Sequence, residues 1–195
     1  MLTEPIHSQA RQNYILPGRF QPFHNDHLVV LRKALQICSP IVLGIVVTTP
    51  TTSDAATPFE AEARRQHGPE RNPFSPRQRL EMITACLQED LGDQGSLVFP
   101  ILLPRPEANW NIIASMFPGT RTWIVPSAGE EFDEMKARFF ESCGDEVMRL
   151  EVQPTTSGRE LREGFSRRSD TWEAHVPLAI ARFIRLAFEE GASNV

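Results

Sequence analysis

"YILPGRFQPFHNDHLVVLRKALQICSPIVLGIVVTT", Tyr14 to Thr49, decides the architecture. Tyr14–Leu16 is a short apolar strand. A loop holding Gly18, Arg19, His24 and His27 follows it. Leu28, Leu31, Leu35 and Cys38 then recur at helical spacing and predict an amphipathic helix. "SPIVLGIVVTT" is apolar on both faces, as a central parallel strand requires. The order strand, loop, helix, strand is a βαβ unit.

The alternation continues along the chain. Ser75 and Pro76 predict a capped helix start for "PRQRLEMITACLQED". "SLVFPILL", "RTWIV" and "EVMRLEV" predict three further strands. "NWNIIASMF", "EEFDEMKARFFESC" and "TWEAHVPLAIARFIRLAFEE" predict helices, with Pro177 breaking or starting a turn in the last. The predicted fold is α/β: a Rossmann-like open parallel sheet of about five strands with helices on both faces. We expect one domain over residues 1–195, with a long loop at about 50–73 that is mobile without ligand, and C-terminal helices at about 171–190.

Composition narrows the function. The formal net charge of −5 argues against a general nucleic-acid binder, which needs a net basic face. It leaves room for a local basic pocket. Cys38, Cys86 and Cys143 form no metal spacing, and their odd number and wide separation suit a reduced, cytoplasmic protein. "MLTEPIHSQARQNY" has polar residues where a signal peptide would be apolar, and "IVLGIVV" is too short to span a bilayer. No membrane partner is expected.

Ligands of such sheets bind at the carboxyl ends of strands beside helix N-termini. "GRFQPFHNDH", Gly18 to His27, occupies that place after the first strand. Gly18 allows a close backbone approach or a positive φ. His24 and His27, three apart at a helix start, share a face. With the helix dipole behind them they would meet an anion such as a phosphate chain, and Arg19 adds a fixed charge. A dehydrogenase would need GxGxxG here and a P-loop NTPase GxxxxGK[ST]; both are absent.

This stretch resembles the GRFxPxHxGH signature of the nucleotidylyltransferase superfamily, most closely nicotinamide-nucleotide adenylyltransferases of archaeal type. "RNPFSPRQRLEMI" (Arg71–Ile83) resembles a second family segment, and "TSGRELR" (Thr156–Arg162) resembles the ISxTxIR motif. The resemblance implies nucleotide binding by Gly18, Arg19, Phe20, His24, His27, Arg71, Arg79, Ser157 and Arg162. It implies catalytic roles for His24, His27 and Arg162, and acceptor contacts from Asn109 and Trp110. Mg2+ would be held through the substrate phosphates, with no protein metal site. Arg77 has no firm family counterpart, and a solvated helix charge is its expected role.

Two positions depart from the family. Asp26 stands where the signature has glycine, and Arg159 where the last motif has threonine. A first-turn acid is favoured by the helix dipole, which is the simplest reading of Asp26. Arg159 suits an additional anionic group, and Ala114 falls about where a ring would stack on nicotinamide. The expected reaction is transfer of a nucleoside monophosphate from CTP or ATP to a phosphate or phosphonate oxygen, releasing pyrophosphate. A cytidylyltransferase with a small anionic acceptor is favoured, and Arg159 would contact that acceptor. Nicotinamide-nucleotide adenylyltransferase is the alternative; a non-catalytic nucleotide sensor is the alternative of another class. A homo-oligomer is compatible with the sequence.

Overall fold

The computed structural model describes residues 12–47, 57–68, 71–127, 129, 131–167 and 169–192. Five parallel strands form one sheet in the order β3-β2-β1-β4-β5: β1 (Gln12–Gly18), β2 (Ile41–Val46), β3 (Val98–Leu103), β4 (Thr120–Ser127) and β5 (Glu146–Glu151). Each strand predicted from hydrophobic pattern is present. The three central strands are apolar because helices cover both sides of them. Alternate residues divide between two cores. Leu16, Ile41, Leu43, Ile45 and Ile124 face one core. Ile15, Val46, Trp123 and Val125 face the other.

The first core packs against α1 (Asn25–Leu35), α3 (Pro76–Asp90), α6 (Gly158–Ser166) and α7 (Leu178–Ala192), through Leu31, Ile83, Cys86, Leu161 and Ile180. The second packs against α4 (Trp110–Met116) and α5 (Glu131–Ser142), through Ile113, Ala137 and Phe140. Helix α3 begins as its sequence predicts: the Ser75 side chain accepts from the Gln78 amide, and Pro76 takes the first turn. The C-terminal region is split at Pro177, with a short 3-10 turn before it and α7 after it. The missing proline N–H costs nothing at a helix start.

One expectation is corrected in part. The predicted loop at 50–73 contains α2 (Pro58–Gln66), started by a reciprocal cap between Thr57 and Glu60. Its nine residues carry little apolar periodicity, so pattern reading passed over it. The remainder of that expectation, residues 50–56 and 69–70, lies outside the described residues.

Candidate active site

The carboxyl ends of β1 and β4 open into a cavity of about 670 Å³. Of the residues singled out from sequence, Gly18, Arg19, Phe20, His24, His27, Arg71, Ser157, Arg159 and Arg162 line it. They arrive from three places: the turn into α1, the segment before α3, and the start of α6.

Local geometry explains the opening stretch. Phe20 has a φ of 52°, so the positive φ falls on a phenylalanine and not on Gly18. Gly18 meets the other requirement, because a Cβ there would come within 2.5 Å of the Phe20 ring. Phe20 and Phe23, both buried, pack against the His27 ring at 5.0 and 5.4 Å. The His24 amide donates to His27 Nδ1 at 3.2 Å. A nitrogen that accepts carries no proton, so neutral His27 holds its proton on Nε2. The two rings lie 3.8 Å apart between centroids.

Burial holds both imidazoles neutral. Desolvation pushes His24 down to about 4 against a smaller opposing pull from Asp26. Desolvation, then the charges of His24, Lys136 and Arg19, pushes His27 well below its usual value. Neutral histidines act here as N–H donors rather than as fixed cations. His24 Nδ1 is buried without a hydrogen-bond partner among the described residues, which makes it a candidate ligand contact.

The second helix start is built from the TSGRELR segment. Ser157 caps α6 by accepting from the Glu160 amide, while Glu160 accepts from Ser157 in return. Gly158 lets Arg162 pass, since a Cβ would stand 3.1 Å from Arg162 Nη1. Arg162 Nη1 donates to the Gln21 carbonyl at 2.8 Å, joining the two motifs. Gly158 and Arg159 are the first helical residues, so their amides have no intrahelical acceptor. Two helix N-termini therefore face one cavity.

Three expected contacts, those of Arg79, Asn109 and Trp110, are not brought to the cavity. Arg79 does not line the cavity: it is 2% exposed, and its Nη1 donates to the carbonyls of Arg19 at 2.6 Å and Val46 at 2.9 Å. It clamps the ends of β1 and β2. Asn109 starts α4 and donates to the Arg105 carbonyl, away from the cavity. Trp110 packs on Trp123, Phe139 and Phe140 in the second core. No residue of α4 lines the cavity, so Ala114 has no bearing on stacking there. Arg159 reaches only the rim, 83% exposed and ion-paired with Glu163 at 2.9 Å. Arg77 is the solvated helix charge expected of it, paired with Glu81.

Sequence reading missed the opposite wall. Phe59 from α2 and Phe132, Asp133 and Lys136 from α5 line it, with Gln66 and His67 beside Arg19. Lys136 lies over the Phe132 ring at 5.2 Å and pairs with Asp133 at 2.5 Å. Among the described residues, six Arg and Lys side chains line the cavity against four carboxylates, a basic pocket in an acidic chain.

A model of the cytidylyltransferase-like family matches residues 15–95. The nicotinamide-nucleotide adenylyltransferase of Thermococcus onnurineus is 29% identical over 175 residues, spanning 86% of this chain and 79% of that protein. The chain is thus similar to nucleotidylyltransferases, by the family model in its first half and by this relative over most of its length. It is a nucleotidyltransferase. Phosphonoformate cytidylyltransferase of Streptomyces viridochromogenes is 28% identical over 174 residues, spanning 88% of this chain and 89% of the relative. In fold, the chain resembles a bifunctional NMN adenylyltransferase/ADP ribose pyrophosphatase from Francisella tularensis solved with AMP and a manganese ion. The TM-score is 0.55 at 21% identity over 81% of this chain. This chain spans 42% of that longer protein. Among the described residues, no helix is long and apolar enough to cross a membrane.

Proposed function

We propose that the protein transfers a nucleoside monophosphate from CTP or ATP to a phosphate or phosphonate oxygen of a small anionic acceptor. The carrying observation is the meeting of two helix N-termini, at His24 and Ser157, on one basic cavity. Exposed amides and dipole ends favour a polyphosphate there.

The acceptor oxygen forms a bond to the α-phosphorus as the bond to the β-bridging oxygen breaks. Pyrophosphate leaves with that electron pair. No protein nucleophile is needed, so the chain's work is in-line alignment and stabilisation of charge on the leaving group. His27 Nε2–H, a His24 ring N–H and the Arg162 guanidinium are the donors for it. Arg19 and Arg71 share the Gln66 side-chain oxygen at 2.9 and 3.1 Å, which sets both on the α2 side of the cavity.

Mg2+ would neutralise the triphosphate while held chiefly by the phosphates themselves. The donor set suits this: Asp26 is bonded to Thr155 and Thr156, Asp133 to Lys136 and Glu107 to Arg105. Lys136 supports an anionic acceptor on the wall facing the histidines, in the part first assigned to Arg159, and a phosphonate acceptor with CTP is the favoured pair. The three free cysteines support action in the cytoplasm.

A second reading, adenylyl transfer to nicotinamide mononucleotide, is favoured by Phe59 and Phe132. Their rings, 5.8 Å apart, line the cavity and can face an aromatic ligand. Pyrophosphate release across ATP, CTP, GTP and UTP, each against nicotinamide mononucleotide, small phosphates and small phosphonates, tests both. Turnover with a phosphonate and CTP supports the first, and turnover only with ATP and nicotinamide mononucleotide supports the second. Nucleotide binding without pyrophosphate release from any pair rejects both in favour of a sensor.

A further inference from the structure

Strands β1 and β5 are not neighbours in the sheet, because β4 lies between them. No ladder hydrogen bond therefore directly sets how far the α1 N-terminus stands from the α6 N-terminus. The β1–β4 and β4–β5 ladders set it only through an intervening strand, and side chains can add a direct tie. Asp26, in the first turn of α1 between the two cavity histidines, reaches across this gap. Its carboxylate accepts from the Thr155 amide at 2.9 Å, the Thr155 hydroxyl at 2.7 Å and the Thr156 amide at 3.0 Å. Those two residues immediately precede the Ser157 cap. Asp26 and Thr156 both line the cavity, whereas Thr155 does not.

A carboxylate near a triphosphate would ordinarily repel it. Here three donors converge on the carboxylate, so much of its charge is already answered. Desolvation alone would raise the Asp26 pKa, but the bonds from Thr155 and Thr156 outweigh it and the carboxyl stays below its usual range. The same bonds consume both loop amides. A nucleotide approaching α6 then meets the Gly158 and Arg159 amides as the first available backbone donors.

We propose that Asp26 is a positioning residue that holds the loop before α6 at a set distance from His24 and His27, so that both helix N-termini grip one nucleotide. This rests on the nucleotidyl-transfer reading above. Glycine, the residue of the resembling signature, would leave the loop held on this side by the Arg162–Gln21 bond.

The test compares wild type with Asp26→Gly, Asp26→Asn, Thr155→Val and the Asp26→Gly/Thr155→Val double variant. In the ligand-free protein, amide exchange at Thr155 and Thr156 should rise about tenfold or more in Asp26→Gly, and less in Asp26→Asn, which keeps one acceptor. In pyrophosphate-release assays, KM for the nucleotide should rise about tenfold in Asp26→Gly, with kcat at saturation changed less than about threefold. Thr155→Val should raise KM by less and add nothing to Asp26→Gly, because both remove one interaction. Unchanged exchange in Asp26→Gly would overturn the proposal, as would additive effects or a fall in kcat at constant KM. If exchange responds as stated while wild type neither binds nor turns over any nucleotide, the transfer reading fails and the tether remains as a structural bond alone.

Discussion

Gln21 and Phe74 pair as two peptide groups would: the Gln21 amide donates to the Phe74 carbonyl at 2.8 Å and accepts from the Phe74 N–H at 3.0 Å. Both residues are buried, and 53 positions separate them. The pair fastens the turn into α1 to the segment leading into α3, and so brings Arg71 to the cavity that holds His24. The Gln21 carbonyl also receives Arg162, so one residue joins the three segments that carry the motif residues of the cavity.

Replacing Gln21 by Leu would strand two buried backbone groups of Phe74. The expected loss is about 2–6 kcal/mol of stability, from about 1–3 for each unsatisfied group. Urea unfolding measures it. A loss below about 1 kcal/mol would mean that water or a shifted chain satisfies Phe74.

His24→Ala and His27→Ala should each lower kcat about a hundredfold, the order of one lost transition-state donor. The His27 change should cost more, because it also orphans the His24 amide. Saturating-nucleotide turnover checks this, with circular dichroism to verify the fold. Turnover at the wild-type rate in either variant would remove that residue from the chemistry.

Arg79 and Arg71 should separate stability from binding. Arg79→Met removes two buried bonds to carbonyls and should cost about 3 kcal/mol or more in unfolding. Arg71→Ala, at the exposed cavity edge, should leave unfolding within about 0.5 kcal/mol while raising KM for the nucleotide. Equal melting of the two variants would contradict the division.

Acid should weaken the fold before carboxylates titrate. Burial holds His24 at about 4 and His67 at about 3, against the usual 6.5. Between about 6.5 and 4 the unfolded chain binds protons that the folded chain refuses, so stability falls as pH falls through that window. Urea midpoints from pH 7.5 to 4.5 should decline, and His24→Gln should flatten the decline. A midpoint independent of pH would show that these imidazoles charge freely in the folded state.

The sequence by itself determined the layered architecture and one half of the site. Alternating two-faced apolar runs with helical spacing allow little besides a parallel sheet covered on both sides, and β1 to β5 stand where those runs are. The helix start after His24 was legible from helical periodicity, and the one at Ser75 because capping is local chemistry, decided within about four residues. Roles that depend on which distant segments meet were not legible. Arg79 has the composition of a phosphate ligand, but only packing turns it toward the carbonyls of Arg19 and Val46. Arg159 reads as an acceptor cation until α6 rotates it onto Glu163. Lys136 and Phe132 sit in an ordinary surface helix until β4 carries α5 beside β1 and sets that face against His27. Asp26 reads as a helix-dipole acid, and its bonds to residues 155 and 156 exist because the sheet order leaves β1 and β5 apart with their loops on the same side. Short-range patterns fix elements through local torsion and solvation, whereas partners across a sheet are selected by strand order, which no local pattern encodes.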